Sequence, residues 1–152
     1  ELLSGLLGLE AVAREGDRVR LAPRGGDEET PRALELVPSP TGQGRLGRGS
    51  YHHVAFEVDD DVALDEGRRA VLGAGVPATK ALNRTYFRSV YFPGPGGATL
   101  ELATRGPGFT VDEPLSELGL ALKLPAWLEP ERQQIRAQLP VTASPEYTHL
   151  FR

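Results

Sequence analysis

This chain has no cysteine, no methionine and a single tryptophan. The missing cysteines exclude a disulfide framework, a thiolate nucleophile and any metal site built on sulfur. They suit a reducing compartment, and the expected location is the cytoplasm. No apolar run approaches the roughly 20 residues a membrane helix needs, and no signal peptide is visible, so no membrane partner is expected. Basic clusters are absent too. With a formal net charge of −4, nothing in the charge pattern favours nucleic acid. Histidine is scarce: His52, His53 and His149 are the three in the chain. A metal site here must be assembled from imidazole and carboxylate.

What is present describes an ordinary globular protein. The 152 residues are 39% hydrophobic and 25% charged, enough for one domain with a core or for two small modules sharing a sheet. Residues 1–9 read as a helix in progress, with Leu2, Leu6 and Leu9 on one face. A chain that opens inside a helix and lacks methionine is expected to be a piece of a longer polypeptide. Glu10–Arg14 and Arg18–Ala22 read as strands about the turn Glu15-Gly16-Asp17, and Ala33–Val37 as a third. Residues 38–50, rich in Gly, Pro and Ser, read as a flexible connector.

A cleaner unit follows. Tyr51–Val58 alternates as a strand, and Asp59, Asp60 and Asp61 are good capping and first-turn residues for a helix running to about Ala74. Leu64, Gly67, Val71 and Ala74 share one face of it, and Gly75 is a suitable stop. Val76–Thr79, Phe87–Phe92 and Thr99–Thr104 read as strands, the last two joined by the sharp turn at residues 93–97. The order is strand, helix, strand, strand, strand. The first segment repeats it without the opening strand. From Arg105 onward the chain is a Pro-punctuated tail with one short helix, about residues 131–139, entered at Pro130.

The predicted class is α+β. Paired βαβββ modules would form a curved, half-barrel mixed sheet with helices outside, the first module lacking its opening strand. Residues 1–47 would be that incomplete module, 48–105 the complete one, and 106–152 the tail.

Strand alternation selects the chemistry. Side chains on a strand point alternately to opposite faces. Val54, Phe56 and Val58 therefore share one face, while His53, Ala55 and Glu57 share the other. Leu100 and Leu102 likewise face away from Thr99, Glu101 and Ala103. If the apolar faces pack on one helix, His53 and Glu101 project together from the opposite side. An imidazole and a carboxylate converging there are two thirds of a two-His-one-carboxylate metal site. Phe87, Ser89 and Tyr91 share a face that could open on the same cavity. Each residue also has an ordinary structural role open to it. A histidine on a half-buried strand is commonly a hydrogen-bonded structural group, Tyr91 could be a core aromatic, Arg84 a surface charge, and His149 an uninvolved end residue.

Longer stretches carry a resemblance. Gly49-Ser50-Tyr51-His52-His53-Val54-Ala55-Phe56, then Arg84-Thr85-Tyr86-Phe87-Arg88-Ser89-Val90-Tyr91-Phe92, then Pro95-Gly96-Gly97 through Leu100-Glu101-Leu102-Ala103-Thr104 stand in order. Gly106-Pro107-Gly108-Phe109-Thr110-Val111-Asp112-Glu113-Pro114 and Leu124-Pro125-Ala126-Trp127-Leu128-Glu129-Pro130 follow. Together they resemble hydroquinone-type ring-cleaving dioxygenases of the vicinal-oxygen-chelate (glyoxalase and extradiol dioxygenase) superfamily, over roughly residues 48–140. Residues 1–47 match weakly.

The resemblance implies the C-terminal part of an Fe(II)-dependent, extradiol-type enzyme, with Mn(II) as the alternative metal and O₂ as co-substrate. The substrate would be a small hydroquinone- or catechol-like aromatic. His53 and Glu101 become metal ligands, and Arg84 and Tyr91 groups around the ring. His52 becomes an acid–base or substrate-binding neighbour, although alternation turns it away from His53. The family's first histidine ligand would lie upstream of residue 1, so this chain alone is expected to bind metal weakly and to be inactive. A glyoxalase-type isomerase using Ni or Zn, or a non-catalytic ligand-binding member, are the alternatives. An incomplete sheet also implies an open edge, paired with a second copy or with the missing N-terminal part.

Overall fold

The computed structural model describes residues 2–29, 32–38, 47 and 49–140. His149 and most of the 38–50 connector lie outside the described residues. The chain divides into two compact units, Glu1–Gly106 and Pro107–Arg152.

The first unit opens on a π-helical turn, Leu2–Leu6, with Leu3 buried. Strands β1 (Leu9–Glu15) and β2 (Arg18–Pro23) form an antiparallel hairpin, and β2 pairs antiparallel with the three-residue β3 (Leu34–Leu36). The hairpin reverses at Gly16, whose φ of +57° suits a residue without a Cβ. Leu9, Leu21 and Leu3 bury their side chains in the common apolar cluster.

The second sheet carries the site. It contains β4 (His53–Val58), β5 (Leu82–Asn83), β6 (Arg88–Pro93) and β7 (Thr99–Thr104), in the spatial order β4-β7-β6-β5. Strand β4 runs parallel to β7, while β6 runs antiparallel to both β7 and β5. Between β4 and β5, α1 (Asp61–Gly73) crosses the sheet as a parallel connection requires. Asp60 starts it by accepting a 2.9 Å hydrogen bond from the Ala63 N–H. Gly75, at φ +75°, follows its C-terminal cap.

Helix α1 uses up the apolar face of this sheet. Leu64 and Val71 are fully buried, in one cluster with Val90, Phe92, Leu100 and Leu102. Burying each of the two helix side chains is worth about 1.5–3 kcal/mol. Gly67 allows the close approach, since a Cβ there would stand 2.5 Å from Leu102 Cδ1. With α1 on that side, the polar residues of β4, β6 and β7 are left to the other.

Two expectations are corrected. The strands do not join into one curved half-barrel sheet; they form separate three- and four-stranded sheets, with no strand pairing from β3 to β4 among the described residues. A half-barrel requires every strand to be hydrogen-bonded to the next, and β3 offers only three residues. The α+β class itself stands. Residues 76–79 are not a strand either, and the edge position belongs to β5. Thr79 still lies beside β6, donating its N–H to the Tyr91 carbonyl at 3.0 Å and accepting the Tyr91 N–H on Oγ1 at 3.0 Å.

The second unit consists of short 3₁₀ turns leading to α2 (Arg132–Gln138). Arg132 grips both oxygens of Glu129, at 2.6 and 2.7 Å, and donates to the Leu122 carbonyl at 2.9 Å. Trp127 is 72% exposed. Among the described residues no helix is long and apolar enough to cross a membrane.

Candidate metal centre

The register of three strands builds one polar surface. Ala55 of β4 and Tyr91 of β6 both stand opposite Glu101 of β7, and His53 stands opposite Thr99, one pleat away. Ser89 pairs with Ala103 in the row on the other side. His53, Glu101, Tyr91 and Ser89 therefore share the face that α1 does not cover.

His53 and Glu101 meet there. His53 Nε2 lies 2.9 Å from Glu101 Oε2, with the histidine side chain 35% exposed and the glutamate 2% exposed. Glu101 Oε1 is buried and has no hydrogen-bond partner. Leaving such an oxygen unpaired costs about 1–3 kcal/mol, more when it is charged, so a donor or a cation beside it would be stabilising.

His52 departs from its expected direction. Strand β4 begins at His53, so alternation does not govern the residue before it. The His52 ring meets the His53 ring edge to face, with Nδ1 to Nδ1 at 2.8 Å. One nitrogen donates and the other accepts, which gives a continuous polar line His52–His53–Glu101.

Tyr91 flanks this line, its ring 5.8 Å from that of His53 in an edge-to-face arrangement. Burial raises the pKa of the Tyr91 phenol above its ordinary value; the Glu101 carboxylate raises it further, while Ser89 and the Arg84 charge pull it down. The phenol thus stays protonated, and a donor, through neutral pH. Arg84 is exposed and acts on Tyr91 by its charge. A tight turn presents it: Arg84 N–H donates to the Phe87 carbonyl at 2.9 Å, and Thr85 N–H to Asn83 Oδ1 at 2.8 Å. Thr85 sits at φ +72°, the one non-glycine residue with positive φ among those described. For a β-branched side chain that is strained backbone.

Ser89 is the residue that sequence reasoning missed. Alternation placed it on the Tyr91 face, but no pattern in the sequence said that its hydroxyl would be fully buried without a partner.

The donor set fits a divalent ion in part. Two ligands at about 2.1 Å and a right angle stand about 3 Å apart, close to the 2.9 Å between His53 Nε2 and Glu101 Oε2. An imidazole and a carboxylate are also the donors that a non-haem iron site uses. However, no group of three or more His, Cys, Asp or Glu able to hold a metal occurs among the described residues.

A parallel strand beside β7, a helix on one face and a His–Glu pair on the other define a class. The profile of the Glyoxalase/Bleomycin resistance protein/Dioxygenase superfamily matches residues 3–102, and the chain belongs to that superfamily. Within it, the chain is similar to MhqO of Bacillus subtilis (strain 168), named a candidate ring-cleaving dioxygenase, at 36% identity over 91% of this chain and 44% of MhqO. The crystal structure of a candidate dioxygenase from Bacillus subtilis subsp. subtilis str. 168 superposes with a TM-score of 0.82 at 35% identity, over 93% of this chain and 45% of that one. The chlorohydroquinone/hydroquinone 1,2-dioxygenase of Sphingobium indicum is 36% identical over 59% of this chain and 28% of its own length. The chain spans about half the length of the curated Bacillus relatives it matches.

Proposed function

We propose that this chain is the metal-bearing part of an Fe(II)-dependent, extradiol-type ring-cleaving dioxygenase, with Mn(II) as the alternative metal and a hydroquinone- or catechol-like aromatic as substrate. The observation that carries the reading is the buried Glu101 carboxylate, 2.9 Å from His53 through one oxygen and unpaired through the other. The similarity to proteins named as ring-cleaving dioxygenases supports it.

His53 and Glu101 would hold the ion. Bound there, it would act as a Lewis acid that favours the ionised form of a ring hydroxyl and would provide a place for O₂. The protein's own groups do the rest. His52 holds the His53 imidazole by its second nitrogen. Tyr91, kept neutral by burial and by Glu101, donates a hydrogen bond to a ring oxygen or passes it a proton. Arg84 is a fixed cation that balances the charge of a phenolate. The ring opens between adjacent carbons, with both atoms of O₂ retained in the product.

The test is anaerobic loading of the intact protein with Fe(II), then oxygen uptake with hydroquinone against catechol. Uptake with neither, at full iron occupancy, overturns the reading. One observation favours a second reading, a non-catalytic ligand-binding member: the described residues bring two metal donors together rather than three. Retention of an aromatic ligand without oxygen uptake supports it. We further propose that β4, whose outer edge has no strand partner among the described residues, pairs with a second copy or with more of the same polypeptide. A clean monomer of this chain by light scattering counts against the first of these.

A further inference from the structure

Two buried oxygens on the site face lack partners, and one phenol stands beside both. They are Ser89 Oγ and Glu101 Oε1, in residues 0% and 2% exposed. Tyr91 lies directly opposite Glu101 and two residues along β6 from Ser89, on the same face. Ser89 is 0% exposed, so bulk solvent does not pair with it and a neighbouring protein group is the first place to look. Across the strands it meets Ala103 and Leu82, whose side chains carry no polar atom.

A phenol can accept one hydrogen bond while donating another, a serine hydroxyl can donate, and an ionised carboxylate only accepts. One placement of the phenol therefore satisfies both orphaned oxygens: it accepts from Ser89 and donates to Glu101 Oε1. The two neighbours already act on the phenol in the opposite senses expected of a donor and an acceptor.

We infer that Ser89 is a positioning residue for Tyr91, its hydroxyl holding the phenol oxygen so that the phenolic proton points toward Glu101 and a ring oxygen bound beside it. This rests on the ring-cleavage reading for its consequence in turnover. The Ser89–Tyr91 link itself stands on the register and on the unpaired atoms.

A double-mutant cycle tests it. In the iron-loaded intact protein, Ser89→Ala lowers kcat about fivefold to tenfold and leaves KM within about twofold. In a Tyr91→Phe background the same change has no further effect, because the group it positions is gone. Thermal unfolding of the metal-free protein gives a second cycle, in which the two melting shifts are non-additive. An unchanged kcat in Ser89→Ala, or an equal loss in both backgrounds, overturns the inference. If the wild type takes up no oxygen with any diphenol, the ring-cleavage reading fails by itself. The thermal cycle then decides the link, and additive shifts overturn it.

Discussion

The Nδ1 atoms of His52 and His53 stand 2.8 Å apart, while His53 Nε2 stands 2.9 Å from Glu101. Both nitrogens of the His53 imidazole are thus engaged, one by a neighbour in sequence and one by a neighbour across the sheet. For His53 to give Nε2 to a metal, its hydrogen must sit on Nδ1, and His52 is placed to accept it. His52→Ala should therefore weaken metal binding by the intact protein about 10–100-fold. Because His52 is exposed, unfolding stability should change by less than about 0.5 kcal/mol. Metal titration and chemical denaturation of the same variant check the two halves.

The His53–Glu101 pair is asymmetric in burial, 35% against 2% exposed, and its variants should be asymmetric too. His53→Ala removes the partner of Glu101 Oε2 from a carboxylate that is 2% exposed. Water entering beside the half-open imidazole site limits the damage, so the expected loss is about 1–3 kcal/mol rather than that of a fully buried pair. Glu101→Gln keeps the shape and an acceptor while removing the charge, and should cost less than about 1 kcal/mol. Both should abolish tight metal binding. Denaturant midpoints measured without metal would refute this if the glutamine variant proved the less stable.

Tyr91 gives a pH dependence whose sign is fixed. Its phenol has a pKa raised above the ordinary tyrosine value in the folded chain, with burial the leading cause. The unfolded state therefore ionises first as pH rises. The contribution to stability is complete below the unfolded value and is lost as pH climbs through the folded one. Stability should be flat with respect to this group up to about pH 9 and fall above pH 10, and Tyr91→Phe should remove that part of the fall. Equilibrium unfolding across this range, alongside tyrosinate absorbance, measures it.

Much of this was legible because it depended on period and punctuation. Alternation alone put His53 and Glu101 on one face, and their register across β7 brings them to 2.9 Å. Asp60 and Gly75 bounded α1 to within a residue or two, since capping is a local property. Long-range properties were not legible. Whether β3 and β4 join one sheet depends on hydrogen bonds between segments far apart in the chain, and no residue type encodes them. The His52 ring lies outside the reach of alternation because it precedes the first residue of the strand. Ser89 escaped because an unpaired hydroxyl is a property of its neighbours, not of serine.

Thr85 ties stability to the site. Its φ of +72° puts a β-branched residue in the left-handed region, at a cost of about 1–2 kcal/mol. The same turn sets the direction of the adjacent Arg84, whose charge acts on Tyr91. Thr85→Gly relieves the strain but gives the unfolded chain more freedom, which offsets about 0.5–1 kcal/mol. The net expectation is a gain of up to about 1 kcal/mol in unfolding free energy. Glycine also loosens the turn, so the phenolate partner is held less firmly and KM for a diphenol should rise while the fold gains stability. A variant that is less stable, with KM unchanged, would show that the threonine side chain supports the loop and that Arg84 does not depend on it.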